Sequence, residues 1–271
     1  MIINNFLSNR KSVREYRKKA LFPETLDKIQ TIVDNLVEGE GIEHIDLKLY
    51  ENGEFISQKL EGKAGYGGVM INSPHYIALD LKDKEEKTVI EAGYYMEKLV
   101  TEIVNLDLGT CWIKLGDVTE ELKKETFGND IDNIDYILAF GMKKRKLPFN
   151  KEAYSVKKGV EELVYDREIN NFFSVEELEN KGLMNIFYHI RFAPSTRNLQ
   201  PCRFLIKDNK VELLLRYTSW YDSILIDGGI VMYYFEQLAH YAGIDNRWEL
   251  LEPSEEDVDG YTYRSIAEFK L

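Results

Sequence analysis

Apolar positions recur at helical spacing just after Pro23. Across 24–36, Leu26, Ile29, Ile32, Val33 and Leu36 fall on one face, which predicts a helix. Leu47, Leu49 and Phe55 lie in an alternating region that reads as strand. Residues 75–79, His-Tyr-Ile-Ala-Leu, form a short apolar run after Ser73-Pro74, the mark of a buried strand. A long helix is expected over 88–106, and a second buried strand over 136–140, closed by Gly141. Further on, Ser174 and Glu177 have capping-box spacing and open a helix expected to run to about Phe192. Strand over 203–206, helix over 223–241 and a last strand near 264–269 complete the reading.

Two stretches of this pattern can be laid on each other. Glu91-Ala92-Gly93-Tyr94-Tyr95-Met96 aligns with Asp227-Gly228-Gly229-Ile230-Val231-Met232 at an offset of 136 positions, and Thr110-Cys111-Trp112-Ile113 roughly matches Asn246-Arg247-Trp248-Glu249. The order of helix, strand, small-residue helix start, Trp segment and final strand holds in both halves. We therefore expect an α+β chain of two related halves, 1–150 and 151–271, forming one compact unit as an intrachain pseudo-two-fold dimer, with 148–173 as the crossover.

Composition narrows the class. The 271 residues are 44% hydrophobic and 30% charged, which is ordinary for a globular chain. The net charge of −12 argues against nucleic acid or an anionic membrane as partner. No apolar run is long enough to span a bilayer, and the N-terminus lacks a signal-peptide pattern. Two cysteines without CxxC spacing fit a reducing cytoplasm, and four scattered histidines give no metal site. Against the acidic background, basic clusters at 10–19 and 143–146 point to a small anion such as phosphate.

The most specific stretch is 194–204, Pro-Ser-Thr-Arg-Asn-Leu-Gln-Pro-Cys-Arg-Phe. Short polar side chains on a helix-to-strand loop can reach the polar rim of a ligand from a rigid mount, although the same residues also make ordinary Asx and ST turns. No GxGxxG, GxxxxGKS or GxSxG signature occurs.

Residues 193–204 resemble the APSxxNxQPWxF motif of FMN-dependent nitroreductases, with Cys202 where Trp is usual. Residues 9–16 followed by 23–26 resemble that family's opening Arg-Arg-Ser-x-Arg motif, 108–113 its Gly-Leu-Gly-Thr-Cys-Trp-Ile segment, and 137–145 its closing strand and basic residues. The opening Arg motif occurs only in the first half and the Pro-Ser motif only in the second. This resembles the fused, single-chain members of the family, and implies one FMN site between the halves with the mirror site lost.

The resemblance implies that Arg10, Lys11, Ser12 and Arg14 hold the FMN phosphate, ribityl chain and N1/O2 edge. Arg145, with Lys143 as second choice, would meet the phosphate. Pro194, Ser195, Thr196 and Asn198 would reach the ring and ribityl. The backbone at Lys114 and Leu115 would face N5 and O4, and Gly67 and Gly68 would pass near the pyrimidine edge. No catalytic side chain and no metal are implied, because the flavin carries the chemistry. NADH or NADPH would be the reductant, a nitroaromatic, quinone or similar small molecule the acceptor, and a cytoplasmic monomer would suffice. A flavin-binding protein without turnover, or another flavin chemistry on the same fold, is the alternative.

Overall fold

The computed structural model describes residues 3–39, 42–66, 68–144 and 155–271, with the side chains of Ile3 and Asn4 left aside. The chain begins with α1 (Ile3–Asn9), α2 (Pro23–Val37), β1 (Ile45–Tyr50), α3 (Gly53–Leu60) and β2 (His75–Leu81). It continues through α4 (Glu86–Asn105), β3 (Gly109–Lys114), α5 (Glu120–Phe127) and β4 (Ile134–Gly141). Beyond residue 155 come β5 (Val164–Asp166), α6 (Val175–Asn180), α7 (Met184–Ile190) and β6 (Cys202–Lys207). The last elements are β7 (Lys210–Tyr217), α8 (Ile224–Tyr241), β8 (Trp248–Val258) and β9 (Tyr261–Lys270). These elements form two compact units. In described residues, one takes 3–10, 89–95 and 155–271, and the other takes 11–88 and 96–144.

The 11–144 unit is built on a four-stranded antiparallel sheet in the order β1-β2-β4-β3. All seven positions of β2 are buried, as the mostly apolar run over 75–79 predicts of a central strand. Asp80 in that strand is buried, and its carboxylate accepts the backbone N–H groups of Asp132 (2.9 Å) and Asn133 (2.8 Å) while Lys48 lies 3.3 Å away. Helix α2 buries Leu26, Ile29, Val33 and Leu36, as the spacing predicts.

Phe55 departs from the expectation of strand. Asn52 ends the extended run, and its side chain accepts the Phe55 N–H at 3.2 Å as an N-cap, which starts α3. Ile56 and Leu60 then turn inward while Phe55 is exposed.

The C-terminal unit carries a five-stranded sheet in the order β5-β6-β7-β9-β8, in which β5 pairs parallel to β6 and the remaining strands are antiparallel. Helix α8 is apolar on all sides and buries fourteen of its eighteen residues, so it is the core of this unit. Phe235 on α8 packs against the rings of Phe204, Trp248 and Phe269 at centroid distances of 5.6, 5.0 and 5.1 Å. The segment 89–95 crosses α8 where both lack side chains. A Cβ on Gly229 would run into the Ile90 carbonyl, and one on Gly93 into the Ile226 carbonyl.

The helix expected from Ser174 to about Phe192 is two helices. The capping box is present as predicted, with Glu177 N–H on Ser174 Oγ at 3.2 Å and Ser174 N–H on Glu177 Oε2 at 2.8 Å. Gly182, at φ +72°, then closes α6, with its own N–H on Glu179 O and that of Leu183 on Leu178 O, both at 2.9 Å. Helix α7 restarts at Met184.

The two units share one connectivity. In chain order, two antiparallel strands are each time followed by a long helix and a second antiparallel pair, whose second strand docks beside the second strand of the first: β1-β2-β4-β3 with α4, of which 89–95 fall in the C-terminal unit, and β6-β7-β9-β8 with α8. The shift that carries Glu91 onto Asp227 also carries His75–Leu81 onto 211–217, within β7. Among the described residues no helix is long and apolar enough to cross a membrane.

Candidate cofactor site

The Pro-Ser loop of the C-terminal unit joins α7 to β6 and is held in an uncommon shape. Arg197, Asn198 and Gln200 have φ of +50°, +58° and +51°, in the left-handed region that non-glycine residues rarely adopt. Such strain persists only where neighbouring bonds over-determine it. Here Ser195 Oγ accepts the Gln200 N–H at 2.9 Å, and the Arg203 guanidinium donates to the carbonyls of Gln200 (2.9 Å) and Cys202 (2.7 Å).

A second strand of chain is tied to the same loop. Val156 O accepts from the side-chain amides of Asn198 (2.9 Å) and Gln200 (3.3 Å), and Lys158 N–H donates to Gln200 Oε1 at 2.9 Å. Lys157 Nζ donates to Ala193 O at 3.0 Å, next to Pro194, and Arg191 donates to Lys158 O at 3.3 Å. Asn198 and Gln200, polar residues of the motif, thus act as braces between the loop and 156–158.

Beneath the loop lies Asp227, 1% exposed on α8. Its Oδ1 accepts the Thr196 N–H (2.9 Å) and hydroxyl (3.1 Å), and its Oδ2 accepts the Tyr221 hydroxyl (3.1 Å). Burial pushes this carboxyl up to about 7, against the opposing pull of those hydrogen bonds and of Lys157. Lys157 is pushed down to about 8, first by burial and then by the positive charge of Arg10, with Asp227 acting in the other direction. Burial, followed by the Asp227 charge, raises the Cys202 thiol, so this cysteine is an inert core group.

Arg10 follows α1 directly, half-buried, and belongs to this unit. It is near enough to Lys157 for its charge to be felt there, and Lys157 is bonded to the loop, so Arg10, Lys157, Asp227 and Thr196 form one electrostatic neighbourhood. The recess below the loop, lined by Ala193, Pro194, Ser195, Cys202 and Val231, encloses about 30 Å³, room for one water. The recess is too small to admit a ring system.

The 11–144 unit holds the other expected residues. Val13 N–H donates to Thr110 O on β3 at 2.9 Å, Val13 packs on Gly109, and Arg17 N–H donates to Met142 O at 2.9 Å. These bonds fix the stretch carrying Lys11, Ser12 and Arg14. The Arg14 guanidinium lies over the Tyr66 ring, 4.6 Å from its centroid. Gly68 has φ +85°, and its carbonyl accepts the Gly62 N–H at 3.0 Å. Lys114 is exposed at the end of β3, whereas Leu115 is fully buried and its N–H is given to Asp135 O at 2.8 Å. Lys143 Nζ donates to Asp107 at 3.1 Å. Gly67 and Arg145 lie outside the described residues.

Sequence reasoning missed Lys157, Asp227 and Tyr221 as members of the neighbourhood. Asp227 had a visible signal, a carboxylate among Ile224, Leu225, Ile226 and Ile230 in the apolar first half of α8. Lys157, a lysine in an irregular segment, had none.

The family model described as "Putative TM nitroreductase" matches residues 3–239 of this chain. Among solved structures, a "putative nitroreductase" of Thermotoga maritima is 18% identical with a TM-score of 0.59, over 98% of this chain and 94% of that one. An FMN-dependent nitroreductase of Clostridium difficile is 21% identical with a TM-score of 0.44, over 55% of this chain and 90% of its own. A nitroreductase with bound FMN from Bacteroides fragilis is 14% identical with a TM-score of 0.46, over 56% and 94%. No curated protein matches.

Proposed function

We propose, for a chain that belongs to the nitroreductase family, an FMN-dependent NAD(P)H oxidoreductase that reduces nitroaromatics, quinones or similar electrophiles. The two units are read as related halves of a tandem chain that retains one FMN site, supported by their shared connectivity and by motifs that each occur once. The observation that carries the reading is the neighbourhood of Arg10, Lys157, Asp227 and Thr196 around the Pro-Ser loop. Lys157, bonded to the loop at Ala193 O, and Arg10, whose charge acts on Lys157, bring cationic donors to a loop that rests on a buried carboxyl raised by burial. Such a donor set fits an anionic, oxygen-rich ligand, as the phosphate and ribityl of FMN are.

Bound FMN supplies hydride acceptance and donation, with the nicotinamide reductant leaving before the acceptor enters. The residues of this chain bind and orient. Arg10 holds the phosphate, its planar fork suited to two oxygens at once. Ser195 offers its hydroxyl at the loop's rim, and Asp227 fixes the backbone of Thr196 so that the rim keeps its shape. Lys11, Ser12 and Arg14 are the further candidates for the polar edge, Arg14 being steadied by Tyr66.

The test is reconstitution. Purified protein mixed with FMN should give a flavin absorption spectrum at one equivalent per chain, bleached anaerobically by NADH or NADPH and restored by a quinone. Failure to bind FMN overturns the reading. Binding without bleaching reduces it to a flavin-binding protein without turnover.

A further inference from the structure

We propose that the indole of Trp220 is a stacking wall for the aromatic ring of the electron acceptor, an inference that rests on the flavin reading above. Trp220 lies in the segment 218–223 between β7 and α8, outside every stretch that resembles a family motif.

This segment is tied to the Pro-Ser loop at two points. Before it, at the end of β7, Arg216 N–H donates to Pro201 O at 2.8 Å. Within it, the Tyr221 hydroxyl donates to Asp227 Oδ2 at 3.1 Å, and the Tyr221 carbonyl accepts the Ile224 N–H at 3.0 Å where α8 begins. Oδ1 of the same carboxyl holds Thr196 by its N–H and hydroxyl. One buried side chain thus carries Thr196 on one oxygen and the chain neighbour of Trp220 on the other. The two loops keep their spacing as long as that carboxyl keeps both partners.

The indole itself is held from the protein side. Tyr217 meets it edge to face with ring centroids 5.4 Å apart, and the Arg264 guanidinium lies over it, 5.4 Å from its centroid. Glu255 steadies both supports, accepting the Tyr217 hydroxyl at 2.9 Å and pairing with Arg264 Nη1. With all these contacts Trp220 is still 43% exposed. A tryptophan that only fills space buries most of its large ring. A ring held rigid and half open instead offers contact area that costs little ordering when a second ring settles on it. Indole is the most electron-rich of the side-chain rings, so it favours electron-poor partners, and quinones and nitroaromatics are such rings.

The experiment measures kcat/KM for menadione, nitrobenzene, ferricyanide and the nicotinamide reductant in FMN-loaded wild type, Trp220→Ala and Trp220→Phe. Ferricyanide takes electrons without an aromatic ring and is the internal control. Trp220→Ala should lower kcat/KM for menadione and nitrobenzene roughly 2- to 12-fold. Ferricyanide, the reductant and FMN affinity should be unchanged. Trp220→Phe, which keeps a ring, should recover most of the loss. A second readout needs no turnover: without reductant, nitrobenzene should quench part of the tryptophan fluorescence saturably, and that part should vanish in both variants. Unchanged kcat/KM in Trp220→Ala, an equal fall for ferricyanide, a fall for the reductant alone, or identical quenching in all three proteins would each overturn the assignment while FMN binding itself stands. A wild-type protein that binds no FMN overturns both readings.

Discussion

Thr196 donates both its backbone N–H, at 2.9 Å, and its hydroxyl, at 3.1 Å, to a single oxygen of Asp227. With Tyr221 on the other oxygen, one buried carboxyl sets the position of the Pro-Ser loop from below. Asp227→Asn replaces one acceptor by a donor where three donors converge, one of them a backbone N–H that cannot accept. Amide exchange across 194–200 should speed up, and exchange mass spectrometry reads this directly.

The same carboxyl makes stability depend on pH with a defined sign. Its folded-state pKa, about 7, lies above its ordinary 3.8, so the folded protein holds this proton longer than the unfolded chain does. Stability from this group is full below pH 3.8, falls as pH rises toward 7, and is level above that. The span is at most about 4 kcal/mol. Denaturant titrations at pH 5 and 7 should differ less in Asp227→Asn than in wild type.

Arg10→Ala should weaken FMN binding roughly 10- to 150-fold, the worth of one charge-assisted contact. Lys18→Ala, at an exposed position in the same basic run, should change it by less than about twofold. Equal small effects in quenching titrations would move the phosphate away from Arg10.

Asn198 combines a brace with a left-handed backbone, and two substitutions separate them. Asn198→Gly relieves the φ of +58° and removes only the bond to Val156 O, at a cost of roughly 0.5–1.5 kcal/mol. Asn198→Ala loses the same bond and keeps a Cβ in that conformation, so it gains none of the relief, worth about 1–2 kcal/mol, that glycine gains. The denaturation midpoint of Asn198→Gly should lie above that of Asn198→Ala.

The adjacent glycines of α8 should behave unequally. Gly229→Ala drives a Cβ into the backbone of Ile90 and should cost about 1–3 kcal/mol or more. Gly228→Ala meets the Ile266 Cδ1 tip at 2.8 Å, a side chain that can move, and gains about 0.5–1 kcal/mol of helix propensity. Its melting temperature should stay near that of wild type.

Patterns with one dominant cause were legible in the sequence. The α2 face, the buried run of β2 and the Ser174 capping box each rest on local spacing, and each is present as read. Phe55 and Gly182 show where reading failed: an Asn-Gly start and a left-handed glycine override apolar spacing over a few residues. Strands β7 and β8 were missed because their pairing with β9, a long-range event, decides them. At the candidate site the sequence pointed to Arg10 and the Pro-Ser loop through their motifs. It could not point to Lys157, whose significance is entirely in what surrounds it.

The discontinuous make-up of the C-terminal unit has a bearing on synthesis. Helix α1 is made before every other described element, yet its partners are α7 and α8, and Phe6 meets Tyr234 with ring centroids 5.9 Å apart. At about 5–20 residues per second on the ribosome, α1 waits roughly 10–50 s for Tyr241 to be made. Throughout that time Phe6 and Leu7, buried in the finished fold, have no docking surface. Halves expressed as 1–150 and 151–271 would reproduce this condition permanently: the first would carry α1 with nowhere to pack, and the second would expose the surface α1 covers. Co-expression of the two fragments is then the condition under which either should become soluble.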